Sequence, residues 1–256
     1  SKEKKMEMIR AFSRALKIVC PKFYVAAPDI NTGEEEMAVF AKENGSKKAC
    51  TGKPADMCVK PGVKCGIPHE FGSTGFGVVQ ATLMAADSSG LDVEGAIAAV
   101  EGFGNVGSFV VEYLIRSGVK VVGVSDSKGC IYNAEGLEYE RLSKVKKETL
   151  SVINYRPGKV LGNTELFELP ADILIPAALP DVITRENVGR VKAKMIVEAA
   201  NIPISSEIED VLRKRGVLVL PDIIANAGGV ISSYAEYRGY NPRQMFNLVQ
   251  RKIRRN

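Results

Sequence analysis

The chain has 256 residues, of which 45% are hydrophobic and 25% charged, and its 35 basic and 30 acidic residues give a formal net charge of +5. That length buries a sizeable core and fits one large domain or two small ones of ordinary globular composition. The basic residues are spread among acidic ones, with no stripe interleaved with aromatics, so nucleic-acid binding is not expected. No apolar run reaches about 18 residues and the opening SKEKKMEMIR lacks a signal-peptide core, so neither a membrane span nor export is expected. The five cysteines, Cys20, Cys50, Cys58, Cys65 and Cys130, are odd in number and form no Cys-x-x-Cys pair. A reducing, cytoplasmic setting with thiols that pack rather than pair is the expectation. The single histidine, His69, argues against a Ser-His-Asp triad or a His-rich metal site, and no metal is expected.

In chain order, Met6, Ile9, Phe12, Leu16 and Val19 predict an amphipathic helix over residues 2–19. Residues 23–27 suggest a short strand, followed by the loop 28–33 and a helix through Met37 and Phe40 that Thr32 and Glu35 would cap. The recurrent Gly and Pro between Lys53 and Gly72 mark an irregular connection and a candidate domain boundary. A helix over 75–87 comes next. Residues 96–100 (AIAAV) then read as a buried parallel strand. Behind it Val106, Val110, Leu114 and Ile115 keep helical spacing until Gly118, and residues 119–124 predict a second strand with Asp126 at its end. Further strands are predicted at 171–176, 194–198 and 217–220, separated by helical patterns at 185–191 and 205–215. This alternation implies an α/β fold of Rossmann type, a doubly wound and mostly parallel sheet with helices on both faces.

Between the first strand and its helix stands Gly102-Phe103-Gly104-Asn105-Val106-Gly107. Gly102 permits the turn, Gly104 removes a Cβ from the path of a pyrophosphate, and Gly107 lets helix and strand approach closely. Helix N-terminal N–H groups then face the anion. With Asp126 in place for a ribose hydroxyl, the unit reads as a dinucleotide site. The tips of the later strands carry Ala177-Ala178, Glu198 to Asn201, Asp222, and Asn226 to Gly229, all on the edge where parallel sheets bind ligands. Each of these alone also reads as a turn or a helix cap.

The segments AAPDINTG (26–33), STGFGV (73–78), AVEGFGNVGS (99–108), VSDSKG (124–129), ILIPAAL (173–179), EAAN (198–201) and PDIIANAGGVISSY (221–234) closely resemble, in order and over nearly the whole chain, the glutamate/leucine/phenylalanine/valine dehydrogenases. The resemblance implies reversible, NAD- or NADP-dependent oxidative deamination of L-glutamate to 2-oxoglutarate and ammonia. It makes Asp29 the catalytic acid that handles protons at the substrate nitrogen. It places Thr74, Asn201 and Asn226 near the nicotinamide, and Gly102 to Gly107, Asp126, Ser127, Lys128, Ala177 and Ala178 around the rest of the cofactor. Ser233 matches the serine that meets the substrate's side-chain carboxylate, which favours glutamate over an apolar substrate. The rival readings are a branched-chain or aromatic amino-acid dehydrogenase and a non-catalytic dinucleotide sensor. Asp126 favours NAD, whereas Ser125, Ser127 and Lys128 leave NADP open.

Three departures qualify the match. The family's catalytic lysine and carboxylate-clamping lysine would precede Ser1, the terminal helices stop short at Asn256, and EAANIPIS (198–205) and the 61–70 loop are unusual. A fragment is therefore expected, inactive alone unless Lys53, Lys60, Lys64 or His69 supplies the missing group. The expected parts are a partial substrate domain at 1–60, a cofactor domain at 61–235 and a truncated C-terminal helix at 236–256. Members of the family imply a homo-hexamer for the intact protein.

Overall fold

The computed structural model of the protein describes residues 1–29, 31–60, 65–68 and 71–256. His69, Lys64 and most of the 61–70 loop lie outside the described residues. The chain forms two compact units, one of residues 1–73 with 229–251 and one of residues 74–228 with 252–256. The first division falls at Ser73, later than residue 60, and the segment from Gly229 returns to the N-terminal unit.

The larger unit is built on seven strands, β1 (Ile97–Glu101), β2 (Lys120–Asp126), β3 (Gly129–Tyr132), β4 (Lys159–Leu161), β5 (Ile173–Pro176), β6 (Met195–Val197) and β7 (Leu218–Leu220). They lie in the order β4-β3-β2-β1-β5-β6-β7. From β2 through β7 the neighbours are parallel, while β3 and β4 form an antiparallel edge that the sequence pattern missed. Ala99, Leu174 and Ile196 share one face and one core with Leu166, Phe167, Ile208 and Leu212. The alternate residues Ala98, Val100, Ile173, Ile175, Met195 and Val197 are buried as well. Burial on both faces is why these strands read as continuous apolar runs. Gly123 sits in that first face because a Cβ there would overlap the Leu169 side chain.

Helix α4 (Asn105–Arg116) packs on β1 and β2 through buried Val110, Val111 and Leu114, and Gly118 at φ 87° turns the chain into β2. Chain order runs outward from β1 to β2 and returns to β5 on the other side of β1. The switch point therefore lies between the carboxyl ends of β1 and β5, where open α/β sheets bind their ligands. Helix α3 (Ser73–Ser89) lies close to α4 at Gly75, whose Cβ would meet Phe109 at 2.6 Å and the Val106 carbonyl at 2.9 Å. Helices α5 (Tyr139–Thr149) and α6 (Ser206–Lys214) and the short α7 (Asp222–Ala225) complete the unit. The pattern at 185–191 forms only a 3-10 turn, Val188–Arg190.

In the smaller unit α1 (Lys2–Ala15) packs on α2 (Glu34–Asn44) over a core of Cys20, Ala26, Met37, Phe40, Ala41, Ala49 and Cys50. The expected face of α1 holds at buried Met6 and at Ile9 and Leu16, which pack on this core, but not at Phe12. Ser13 is inside, donating its hydroxyl to the Phe40 carbonyl at 2.8 Å, while Phe12 is 48% exposed. The helix ends at Ala15, four residues early, and the strand expected at 23–27 is reduced to one bridge between Ala26 and Cys50. Thr32 does not cap α2. That helix starts behind Gly33, whose N–H donates to Glu36 Oε2 at 2.8 Å.

The cysteine expectation is corrected in part. Cys58 and Cys65 form a disulfide with Cα atoms 4.6 Å apart, closing a short loop. Cys20, Cys50 and Cys130 are free and buried, and burial pushes the thiols of Cys50 and Cys130 up to about 12, so they are inert packing groups. Helices α8 (Gly228–Tyr237) and α9 (Pro242–Arg255) end the chain, so residues 236–256 hold the end of one helix and all of another. Among the described residues no helix is long and apolar enough to cross a membrane.

Candidate functional site

At the switch point the turn after β1 is shaped by its glycines. Gly102 has φ 91°, and a Cβ on it would lie 2.7 Å from the Ala178 Cβ, so the β1 and β5 turns touch only because Gly102 has none. Its N–H donates to the buried Ser125 hydroxyl of β2 at 3.1 Å. Gly107 in the first turn of α4 lies against the Gly102 carbonyl, which any Cβ would overlap. Gly104 differs from both. Beyond its two chain neighbours, no atom of the described residues lies within 4 Å of where its Cβ would be, and Gly104 and Asn105 are exposed. Protein packing thus gives no reason for a glycine there, whereas an anion seated on the α4 N-terminus does. No side chain caps that helix end. The cradle fits a pyrophosphate.

The other expected cofactor residues divide into two groups. Phe103 is buried, 6.4 Å from the Tyr139 ring, and Val106 is half-buried in the first turn of α4. Ala177 is half-buried and Ala178 exposed beside Gly102, and Thr74 is half-buried in the first turn of α3. Asn226 at the end of α7 donates from Nδ2 to Asn201 Oδ1 at 2.8 Å, so the two asparagines expected at the nicotinamide form a pair.

Asp126 ends β2 as expected, but its carboxylate is already engaged. Oδ1 accepts from the Lys128 N–H at 2.9 Å and the Ser151 hydroxyl at 3.1 Å; Oδ2 accepts from Lys146 Nζ at 2.7 Å and the Val152 N–H at 2.8 Å. Burial would raise this carboxyl, but the Lys146 ammonium and the three other donors outweigh it and hold it below its ordinary value. A carboxylate offers about four acceptor directions, and all are taken. The exposed Ser127 and Lys128 stand at the tip beyond it.

Two further acids, Glu101 and Glu198, stand at strand tips, and sequence reasoning gave them no role. Glu101 ends β1, and its Oε2 accepts the N–H groups of Ala177 at 3.1 Å and Ala178 at 2.9 Å. Burial holds its carboxyl above the ordinary range despite those donors. Glu198 follows β6, accepts the Asp222 N–H at 3.0 Å, and is pushed up to about 7, chiefly by burial. The signal that marks them is an acid closing an apolar strand, a place where a carboxylate persists only if backbone donors meet it.

In the smaller unit Asp29 is exposed in a loop closed by Thr32, whose hydroxyl accepts the Asp29 N–H at 2.7 Å and donates to the Asp29 carbonyl at 2.8 Å. Pro28 packs on Gly52, which has φ 73° and no room for a Cβ. The Gly52 N–H donates to Glu236 Oε2 at 2.6 Å, and Glu236 lies one turn after the half-buried Ser233 on α8. Glu236 Oε1 pairs with Lys53 Nζ at 2.6 Å, and Lys53 also donates to the Cys50 carbonyl. Both side chains are essentially unexposed, so the Lys53 ammonium is spent inside the fold.

The family model for the Glutamate/Leucine/Phenylalanine/Valine dehydrogenases matches residues 65–254. The chain belongs to that family. It is 44% identical over 219 residues to the glutamate dehydrogenase of Aeropyrum pernix, covering 83% of this chain and 51% of that protein. It is 40% identical to the NADP-specific glutamate dehydrogenase of Saccharolobus shibatae, covering 83% of this chain and 50% of that protein, and 37% identical to the NAD-specific glutamate dehydrogenase of Staphylococcus aureus, covering 89% and 55%. The hetero-hexameric glutamate dehydrogenase of Thermus thermophilus, solved in a Leu-bound form, superposes with a TM-score of 0.89 at 27% identity, covering all of this chain and 62% of that one. The chain spans about half the length of the curated relatives it matches.

Proposed function

We propose that this chain is the cofactor-binding part of a glutamate dehydrogenase, with elements of the substrate site, and that the whole protein carries out NAD- or NADP-dependent oxidative deamination of L-glutamate to 2-oxoglutarate and ammonia. The observation that carries this is the Gly102 to Gly107 turn on a family-matched sheet, with open space at Gly104 alone among its glycines. The bound nicotinamide supplies the hydride acceptor. Asn201 and Asn226 orient its ribose, and the uncapped amides of α4 take the pyrophosphate.

Asp29 takes the proton from the substrate ammonium. Hydride leaves the α-carbon only when that nitrogen is neutral and its lone pair assists, so a carboxylate base at the nitrogen is the group the chemistry requires. Ser233 donates to the side-chain carboxylate, and this favours glutamate over leucine, valine or phenylalanine. With Asp126 saturated by its own donors, Ser127 and Lys128 are the groups left at the β2 tip to meet a 2′-hydroxyl or 2′-phosphate, and both cofactors belong to the reading. Assembly of the intact protein into a hexamer belongs to it as well.

The test is titration of this chain with NADH and NADPH, followed by nicotinamide fluorescence, against the Gly104→Val variant. Micromolar binding lost in the variant supports the reading. Absence of binding by the unaltered chain, or undiminished binding by the variant, refutes it.

A further inference from the structure

Glu198 does nothing in the chemistry above, yet it is 2% exposed and its Oε1 is buried with no hydrogen-bond partner among the described residues. Evolving chains shed such groups unless they hold something. What Glu198 holds is α7. Its Oε2 accepts the N–H of Asp222, the first residue of that four-residue helix, whose start has no side-chain cap. Asp222 passes the constraint on, its Oδ2 accepting the Ile202 N–H at 2.8 Å.

Ile202 is the informative residue. It is β-branched, 64% exposed, and has φ 49°, a left-handed conformation that such a residue adopts only where its surroundings impose it. Solvent exposure means that packing does not impose it. The clamp is Asp222 on the Ile202 N–H, together with the Asp181 N–H donating to the Ile202 carbonyl at 3.1 Å. Asn201 immediately precedes Ile202 and accepts from Asn226 at the far end of α7. Both ends of α7 therefore grip the 201–202 turn, and Glu198 anchors α7 to the sheet.

We propose that Glu198 and Asp222 are positioning residues for the nicotinamide half of the cofactor, a relay from the tip of β6 through α7 that holds the strained 201–202 turn and the Asn201–Asn226 pair in place. This rests on the reading of the chain as a dinucleotide-binding dehydrogenase. The relay does not touch the Gly102 to Gly107 turn or the Asp126 loop, so the adenosine and pyrophosphate half binds independently of it.

The experiment compares NADH with ADP, which keeps the adenosine and the diphosphate but lacks the nicotinamide and its ribose, by calorimetric titration of the whole chain. The unaltered chain binds NADH more tightly than ADP. Glu198→Ala removes the acceptor and weakens NADH by about tenfold, the loss expected for one buried hydrogen bond, while ADP affinity is unchanged. Glu198→Gln keeps a carbonyl acceptor and keeps NADH affinity. Asp222→Ala, at a half-buried position in the first turn of α7 outside the apolar core, reproduces the selective loss even if Glu198→Ala does not fold. Equal weakening of both ligands, or no weakening of either, overturns the proposal. If the unaltered chain binds neither ligand, the dehydrogenase reading itself fails and the relay with it. If it binds ADP as tightly as NADH, the cofactor reading survives and the nicotinamide role of the turn does not.

Discussion

Replacing Glu198 by glutamine changes the pH dependence of stability by an amount the structure sets. The carboxyl sits near 7 in the folded chain against an ordinary 4.5, chiefly because burial disfavours its charge, with Glu209 and Asp222 adding to the rise. Between those two values the folded chain keeps a proton that the unfolded chain has released, so stability falls as pH rises through the window and stays reduced above it. At about 1.36 kcal/mol per unit, the reduction reaches about 3 kcal/mol by pH 8. Glutamine is neutral at every pH and keeps a carbonyl for the Asp222 N–H. Its amide group meets the same unpartnered space as Oε1, which costs about 1–3 kcal/mol but does so at all pH values. The informative quantity is therefore the difference between variant and parent at pH 8 minus the same difference at pH 4. Urea denaturation at both pH values should show it move by about 3 kcal/mol in favour of the variant. A difference that stays constant from pH 4 to pH 8 would refute the argument, because Glu198 would then titrate at its ordinary value.

Other predictions follow from the glycines and charge pairs. Gly104→Val should leave the melting temperature nearly unchanged while removing dinucleotide binding, whereas Gly107→Ala should destabilise the larger unit by about 1–3 kcal/mol because its Cβ overlaps the Gly102 carbonyl; thermal melting with a parallel NADH titration separates the two. Lys128→Ala should weaken NADPH by about 1–2 kcal/mol more than NADH, and equal losses would make Lys128 a solvated surface charge. Lys53→Met should cost about 3–5 kcal/mol by stranding Glu236 in the interior, and adding Glu236→Leu should restore much of it; additive losses in this double-mutant cycle would show that the two side chains do not act as a pair.

The parts of the fold that were legible in the sequence are those where burial is two-sided or a glycine has no substitute. β1, β5 and β6 stood out because both faces are covered, and the β1–α4–β2 unit because Gly102 and Gly107 satisfy steric demands local to the chain. The antiparallel edge was not legible. β3 is four residues long and follows a tight turn directly, and α5, reading YERLSKVKKET, buries only Leu142 and so carries a weak apolar stripe. The cap of α2 was misplaced by one residue because the Thr32 hydroxyl, a good cap by type, closes the Asp29 turn instead. Cys58 and Cys65, seven residues apart, carry no motif that marks them as a pair. At the site, the turns that carry Gly102 and Ala178 lie against each other, and Asn201 meets Asn226. The saturation of Asp126 by Lys146, Ser151 and Val152 depends on where α5 and the segment after it fold back, which residue spacing does not reveal. The braces formed by Glu101 and Glu198 were hidden for the same reason, since their partners lie 76 and 24 residues away.

The central claim, that this chain carries a dinucleotide site at the switch point of its sheet, is tested most directly by a crystal structure of the chain with NADH bound. The account predicts the pyrophosphate over Gly104 at the N-terminus of α4, within hydrogen-bond distance of the first-turn amides, and the nicotinamide ribose at Asn201 and Asn226. A pyrophosphate anywhere else, with the Gly102 to Gly107 turn left in solvent, would contradict it.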